Sequence, residues 1–303
     1  LRYGASKIFM NYEAQRPPTS ARMMFRGVPH QVSTWGDPRA EPVFLLHGWG
    51  DCGDTFQFLI DAFHEERYWI APDWRGFGES EWTGPSYWFP DYLADLEAIL
   101  QHYSPNSPAV LIGHSMGGNI ASLYAGVRPE RVSKLVNLEG VGLPPTDPGT
   151  APSRYRRWLD QLQSPPTFSV YPSVEAFATV LMRRNPRLTL DRATYIGTHW
   201  LRPCEGGFTP TWDPAHKRVN PVLYSREAAE ACWHAATAQT LLVMGGCSDI
   251  LRELGAAGDP AHYKARYPQW SLAVMPNAGH MMHHEEPAEL ASLIENFWRE
   301  PTI

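Results

Sequence analysis

Several things are scarce in this chain of 303 residues, and each scarcity narrows the reading. No apolar run reaches the ~18 residues that a membrane-spanning helix needs, so no span is expected. Positive charge is short: 26 Lys and Arg stand against 32 Asp and Glu, a net charge of −6, which leaves no basic face for nucleic acid. Cysteine is sparse. Cys52, Cys204, Cys232 and Cys247 show neither metal-ligand spacing nor a redox pair, so reduced thiols, no metal and a cytoplasmic location are the expectation. The stretch from Leu1 to Pro18 carries charges and two prolines and lacks an apolar signal core. Internal repeats and low-complexity tracts are absent as well.

Short apolar runs alternating with helical periodicity are what the chain does contain. Residues 22–35 read as a hairpin turning at Gly27. Strands follow at 42–46, 68–71, 109–112, 134–138, 241–244 and 271–275, and helices at 56–63, 90–100, after residue 115 and at 287–298. This pattern predicts an α/β fold, a mostly parallel eight-stranded sheet flanked by helices on both faces. Residues 1–141 and 239–303 form the predicted core. Residues 142–238, with helices near 153–163, 173–184, 188–201 and 226–237, are too long for a simple loop. They read as a helical cap over the carboxyl ends of the strands, where open α/β sheets bind ligands. Aromatic residues are plentiful (12 Trp, 13 Tyr, 12 Phe), which fits either an aromatic-lined pocket or ordinary packing.

The sharpest motif is Gly113-His114-Ser115-Met116-Gly117, set directly after the apolar run Ala109–Ile112. Strand, Gly-x-Ser-x-Gly, then helix holds one hydroxyl in a strained turn where a substrate can reach it. Acyl transfer by serine also needs a base, an orienting acid and donors for the oxyanion. The base expected is His280, just after the last strand, with His283 and His284 as competitors that read better as the start of the closing helix. The acid expected is Asp249, after the strand at 241–244, with Glu139 at the end of the preceding strand as the alternative. The chain order Ser115, Asp249, His280 suits this architecture. Two backbone N–H groups, of Trp49 in His47-Gly48-Trp49-Gly50 and of Met116 at a helix start, are the expected oxyanion donors.

Two further features read as structural. The Gly-rich loop Asp73-Trp74-Arg75-Gly76-Phe77-Gly78-Glu79-Ser80 lacks the spacing of a phosphate cradle, so Asp73 and Arg75 are expected to tie neighbouring loops. Cys52 and Cys247 read as small buried fillers, because no motif activates them.

Taken together, His47-Gly48-Trp49, Asp73–Ser80, Gly113–Gly118, Gly245–Asp249 and Gly279-His280 resemble the α/β-hydrolase superfamily across residues 22–300. The resemblance implies Ser115 as nucleophile, His280 as base, Asp249 as acid, and the Trp49 and Met116 amides as oxyanion hole. Trp212-Asp213-Pro214-Ala215-His216-Lys217 is similar to a segment of serine-hydrolase-like members. Dehalogenases and epoxide hydrolases of this fold carry Asp at the nucleophile position, whereas this chain has Ser115. The function expected is therefore a cofactor-independent serine hydrolase of a small or medium carboxylic ester. Hydrolysis of a carbon–carbon bond in a ring-cleavage product, cofactor-free perhydrolysis and a ligand receptor with residual hydrolysis are the alternatives.

Overall fold

The computed structural model describes residues 12–84 and 86–299. Strands β1 (Thr19–Phe25) and β2 (Val28–Trp35) form the expected hairpin, turning at Arg26 and Gly27, both with positive φ. Then come β3 (Pro42–Leu46), α1 (Gln57–Ala62), β4 (Tyr68–Pro72), α2 (Pro90–Tyr103), β5 (Ala109–His114), α3 (Met116–Val127) and β6 (Val132–Leu138). The long interruption holds α4 (Ala151–Gln163), α5 (Val174–Arg184), α6 (Leu190–Trp200), β7 (Leu201–Cys204), β8 (Gly207–Pro210) and α7 (Arg226–Ala235). The chain closes with β9 (Gln239–Gly245), α8 (Asp249–Glu253), α9 (Pro260–Arg266), β10 (Ser271–Met275), α10 (Met282–Glu285) and α11 (Pro287–Arg299).

Eight strands make one sheet in the order β1-β2-β4-β3-β5-β6-β9-β10. From β4 to β10 all neighbours are parallel, and only the β1–β2 and β2–β4 pairs are antiparallel. The side chains explain why helices cover both faces. Val43, Leu45, Ile112, Val136, Leu138 and Val243 turn to one face and pack under Leu290, Ile294 and Phe297 of α11. Phe44, Leu46, Leu111 and Leu135 turn to the other, against Leu96 and Ile99 of α2 and Ile120 and Tyr124 of α3. A strand apolar on both sides is stable only when covered twice.

This order also decides where a site can form. From β3 the chain steps outward to β4 and then returns to β5 on the opposite side of β3. The loops leaving the carboxyl ends of β3 and β5 therefore diverge, and a crevice opens between them, the usual ligand position in open α/β sheets.

The interruption differs from its sequence reading in two respects. It carries a two-stranded antiparallel sheet, β7 with β8, where only helices were expected. These four-residue strands contain Arg202, Pro203 and Gly207 and show no apolar alternation. In addition, α7 lies against α3, and its Trp233 joins Leu242 and Met244 of β9 in one apolar cluster. The backbones pass so closely that a Cβ on Gly126 would sit 1.9 Å from the Cys232 carbonyl oxygen. So α7 packs as a flank of the sheet. Helices α5 and α6 instead rest on α1, with Ala178, Leu188, Ala193 and Ile196 gathered around Phe58.

Candidate active site

Ser115 stands between β5 and α3 with φ 50° and ψ −112°, a conformation that costs a non-glycine residue about 1–3 kcal/mol. Its neighbours hold it there. The Ser115 N–H donates to the Leu138 carbonyl at 2.8 Å, and its own carbonyl accepts from Asn119 N–H at 2.9 Å. The flanking glycines are steric necessities. A Cβ on Gly117 would lie 2.1 Å from the Leu46 carbonyl oxygen, and one on Gly113 would lie 2.6 Å from the Gly117 backbone. Strand and helix thus meet at a distance that only hydrogen at Cα permits.

His280 lies in the loop after β10, and its Nδ1 is 2.7 Å from Glu139 Oε2. This is the principal departure from the sequence reading, which put Asp249 there. Asp249 begins α8 with its side chain 83% exposed and pairs with Arg252 on the surface. The place after β9 from which an acid would reach His280 is occupied by Ser248. The Ser248 hydroxyl donates to Glu139 Oε2 at 2.8 Å, while Gly245 N–H donates to Oε1 at 2.6 Å. Glu139 itself has φ 54°, another strained position, and its carboxylate is buried among these three donors. A carboxylate so engaged accepts Nδ1–H and leaves Nε2 of His280 with the lone pair, the tautomer a general base needs.

The loops of Ser115 and His280 are tied by a residue that spacing did not single out. His114 Nε2 is 2.8 Å from the His280 carbonyl, so this nitrogen carries the proton and donates it. Burial pushes the His114 imidazole well below its ordinary pKa, with His283 and His280 adding to the shift, and the ring stays neutral.

The two expected oxyanion donors flank the serine. Met116 is the first residue of α3, so its N–H has no acceptor inside the helix. Across from it, a Cβ on Gly48 would lie 3.2 Å from Ser115 Cβ, which puts the Gly48–Trp49 peptide beside Ser115. His47 Nδ1 donates to the Gly48 carbonyl at 2.7 Å, while its Nε2 accepts from Trp74 N–H at 2.9 Å. Burial depresses the His47 pKa to about 4 and keeps the ring neutral. With the Gly48 carbonyl turned toward His47, the trans peptide directs the Trp49 N–H the opposite way. Among the described residues, neither this N–H nor that of Met116 has a partner.

Other sequence-singled residues fall out as follows. Asp73 accepts from Gly53 N–H and Glu79 N–H and so binds two loops, whereas Arg75 reaches the buried Asp95 of α2. Cys52 is buried, which drives its thiol pKa well up and leaves it inert. Cys247 is half-buried, with its Sγ 3.3 Å from the Pro276 carbonyl. His283 and His284 lie in the short α10, ahead of the closing helix they were expected to start, and are fully buried, facing Asp51. In the Trp212–Lys217 segment, Asp213 N–H donates to the Gly76 carbonyl at 2.8 Å and its side chain accepts from Tyr87 at 2.8 Å. His216 stacks between Phe77 and Tyr87, with ring centroids 4.0 and 3.7 Å away.

A cavity of about 290 Å³ opens beside this centre, lined by Trp49 and Met116 together with Tyr87, Leu143, Trp158 and His216 among others. Its far wall thus comes from the interrupting segment. That segment also grips the loop that carries His280. Asn185 donates to Glu285 Oε1 at 2.7 Å, Arg187 to the Asn277 carbonyl at 3.0 Å, and Arg192 to the carbonyls of His284 and Glu285. Among the described residues no helix is long and apolar enough to cross a membrane.

Comparison with known proteins adds three findings. A family model described as "Alpha/beta hydrolase family" matches residues 43–293. The chain is 32% identical over 187 residues to a serine hydrolase-like protein of Danio rerio, covering 59% of this chain and 57% of that protein, so it spans little more than half the length of that relative. It is 28% identical over 272 residues to the 3-hydroxybutyrate-oligomer hydrolase of Cupriavidus necator, covering 85% and 88% of the two chains. Among solved structures, the thioesterase domain from the curacin biosynthetic pathway superposes with a TM-score of 0.81 at 26% identity, covering 92% of this chain and 99% of that one.

Proposed function

We propose that this chain, which belongs to the alpha/beta hydrolase family and is a hydrolase, cleaves small or medium carboxylic esters through an acyl-enzyme on Ser115. His280 serves as base and Glu139, in place of the expected Asp249, as the acid that orients it. The observation that carries this reading is the 2.7 Å contact of His280 Nδ1 with a buried carboxylate that is itself fixed by Gly245 and Ser248.

In this reading Ser115 Oγ attacks the ester carbonyl while His280 Nε2 takes the hydroxyl proton. The imidazolium that forms faces Glu139, whose negative charge stabilises it without accepting the proton. Negative charge gathering on the carbonyl oxygen is met by the Trp49 and Met116 N–H groups, each worth about 2.7–4 kcal/mol at the transition state. The positive end of α3 favours the same charge. His280 then returns the proton to the leaving alkoxide. In the second half the base activates water, which attacks the acyl carbonyl and frees Ser115.

The cavity supports an apolar acyl or alcohol arm of modest size, since about 290 Å³ is at the lower end for small-molecule sites. Residues 142–225 are the proposed cap. The named activities of two relatives, hydrolysis of 3-hydroxybutyrate oligomers and thioester cleavage, transfer an acyl group to water and favour ester over carbon–carbon cleavage. A cytoplasmic location is part of the proposal, supported by four cysteines that carry no disulfide among the described residues.

The test is labelling with a fluorophosphonate, followed by peptide mass mapping, beside turnover of p-nitrophenyl esters of increasing acyl length and of the matching thioesters. A single adduct on Ser115 and turnover of short to medium esters are expected. Ester turnover that persists unchanged in Ser115→Ala, or stoichiometric ester binding without turnover, would overturn the reading.

A further inference from the structure

A second cluster of chemistry-bearing side chains lies beneath the site, and the proposed hydrolysis makes no use of it. Asp51, two residues beyond Trp49, is buried with His283 and His284, which follow His280 closely on the other loop. Asp51 Oδ1 is fully occupied, accepting from Cys52 N–H at 2.8 Å, Thr55 Oγ1 at 2.5 Å and Trp200 Nε1 at 2.9 Å. Those bonds aim Oδ2 at the two imidazoles, with His283 Nε2 at 3.3 Å and His284 Nε2 at 3.7 Å. His284 Nε2 has no hydrogen-bond partner although it is buried. Around them Phe56 and His114 lie against His283, and Phe58 and Trp200 against His284.

We infer that Asp51, His283 and His284 form a binding site for a divalent first-row transition metal such as Zn²⁺. Three ligand atoms, one from each residue, lie within 4.8 Å of one another. Bonds of about 2.0–2.1 Å at tetrahedral angles put neighbouring ligand atoms about 3.3–3.4 Å apart. The Asp51–His283 distance already equals that value, and the Asp51–His284 distance exceeds it by a few tenths of an ångström. Two imidazoles and one carboxylate select transition ions over Mg²⁺ or Ca²⁺. The three donors on Asp51 Oδ1 supply the outer hydrogen bonds that hold a ligating carboxylate in place.

Electrostatics favours a cation here. A buried carboxylate must be paired, and Oδ2 of the buried Asp51 faces two imidazoles. His284 Nε2 is buried without a hydrogen-bond partner, so it can offer a lone pair to an ion. The ion would bridge the loop of Trp49 and the loop of His280 without touching a reacting atom, which makes its role that of a staple. Spacing along the chain shows nothing of this, because Asp51 and His283 are 232 residues apart.

The experiment uses the full chain, stripped with chelator and reloaded with Zn²⁺ or Co²⁺. One ion per chain by elemental analysis is expected, with the visible bands of tetrahedral Co²⁺ and no thiolate charge-transfer band. At Zn²⁺ near 100 times its Kd, Tm should rise by roughly 5 °C. His284→Leu removes a ligand without breaking a hydrogen bond and should weaken binding by at least about 100-fold; Asp51→Asn should do the same. Failure to bind one ion per chain, a thiolate spectrum, or unchanged affinity in either folded variant overturns the inference. None of these readouts uses ester turnover, so the two proposals fail separately.

Discussion

Exchanging Glu139 for Gln is the most discriminating perturbation of the site. In the native arrangement its two oxygens accept from His280 Nδ1 at 2.7 Å, Gly245 N–H at 2.6 Å and Ser248 Oγ at 2.8 Å. Glutamine has one oxygen and one NH₂, so it cannot serve both sides. If the NH₂ faces His280, it forces the lone pair onto Nδ1 and the proton onto Nε2, and the base can no longer take the serine proton. If the NH₂ faces Gly245, two donors confront each other in a buried place, at a cost of about 1–3 kcal/mol of stability. By analogy with loss of the orienting acid in serine proteases, kcat/KM should fall about 10⁴-fold, or about 5.5 kcal/mol. The control is Asp249→Asn. That side chain is 83% exposed and pairs with Arg252 on the surface, so it should change neither turnover nor stability measurably. The assay is kcat/KM on the best p-nitrophenyl ester, with thermal unfolding to confirm folded protein. A folded Glu139→Gln of near-native activity, or a larger loss in Asp249→Asn, would refute the assignment.

Other expected outcomes concern the same region. Ser115→Ala should lower kcat on the order of 10⁶-fold by analogy with a serine protease, and Ser115→Gly, free of the positive-φ strain, should be equally inactive but at least as stable as the alanine variant. Gly117→Ala drives a Cβ into the Leu46 carbonyl and should cost about 1–3 kcal/mol or more, read by urea unfolding. His216 is held neutral by burial with a pKa of about 3, below the 6.5 of the unfolded chain. Between those values the unfolded state binds the extra proton, so this residue's contribution is present above pH 6.5 and is lost as pH falls toward 3. The loss is roughly 2 kcal/mol between pH 6.5 and 5. His216→Phe keeps a ring between Phe77 and Tyr87 and should flatten the stability–pH curve by about one proton; an unchanged slope would count against the burial argument.

The parallel part of the sheet was readable from the chain because its strands carry apolar runs bounded by turn residues, and the Ser115 turn because glycine spacing encodes a close approach. The carboxylate that faces His280 was not readable to the same degree. Asp249 and Glu139 each follow a strand, β9 and β6, that are neighbours in the sheet, and linear order cannot say which side chain turns inward. The decisive difference is local: Glu139 has positive φ, and Ser248 rather than Asp249 faces it. Likewise, His283-His284 beside Glu285-Glu286 looks like the start of the closing helix. Only the folding of α10 onto the loop after β3 buries both rings against Asp51.

The grip of Asn185, Arg187 and Arg192 on residues 277–285 has a bearing on protein engineering. Transplanting residues 142–225 from another hydrolase, in order to change selectivity, would remove these three anchors along with the old pocket wall. A chimera that keeps the donors at equivalent positions retains the preset imidazole; one that discards them trades selectivity for a loosened catalytic loop.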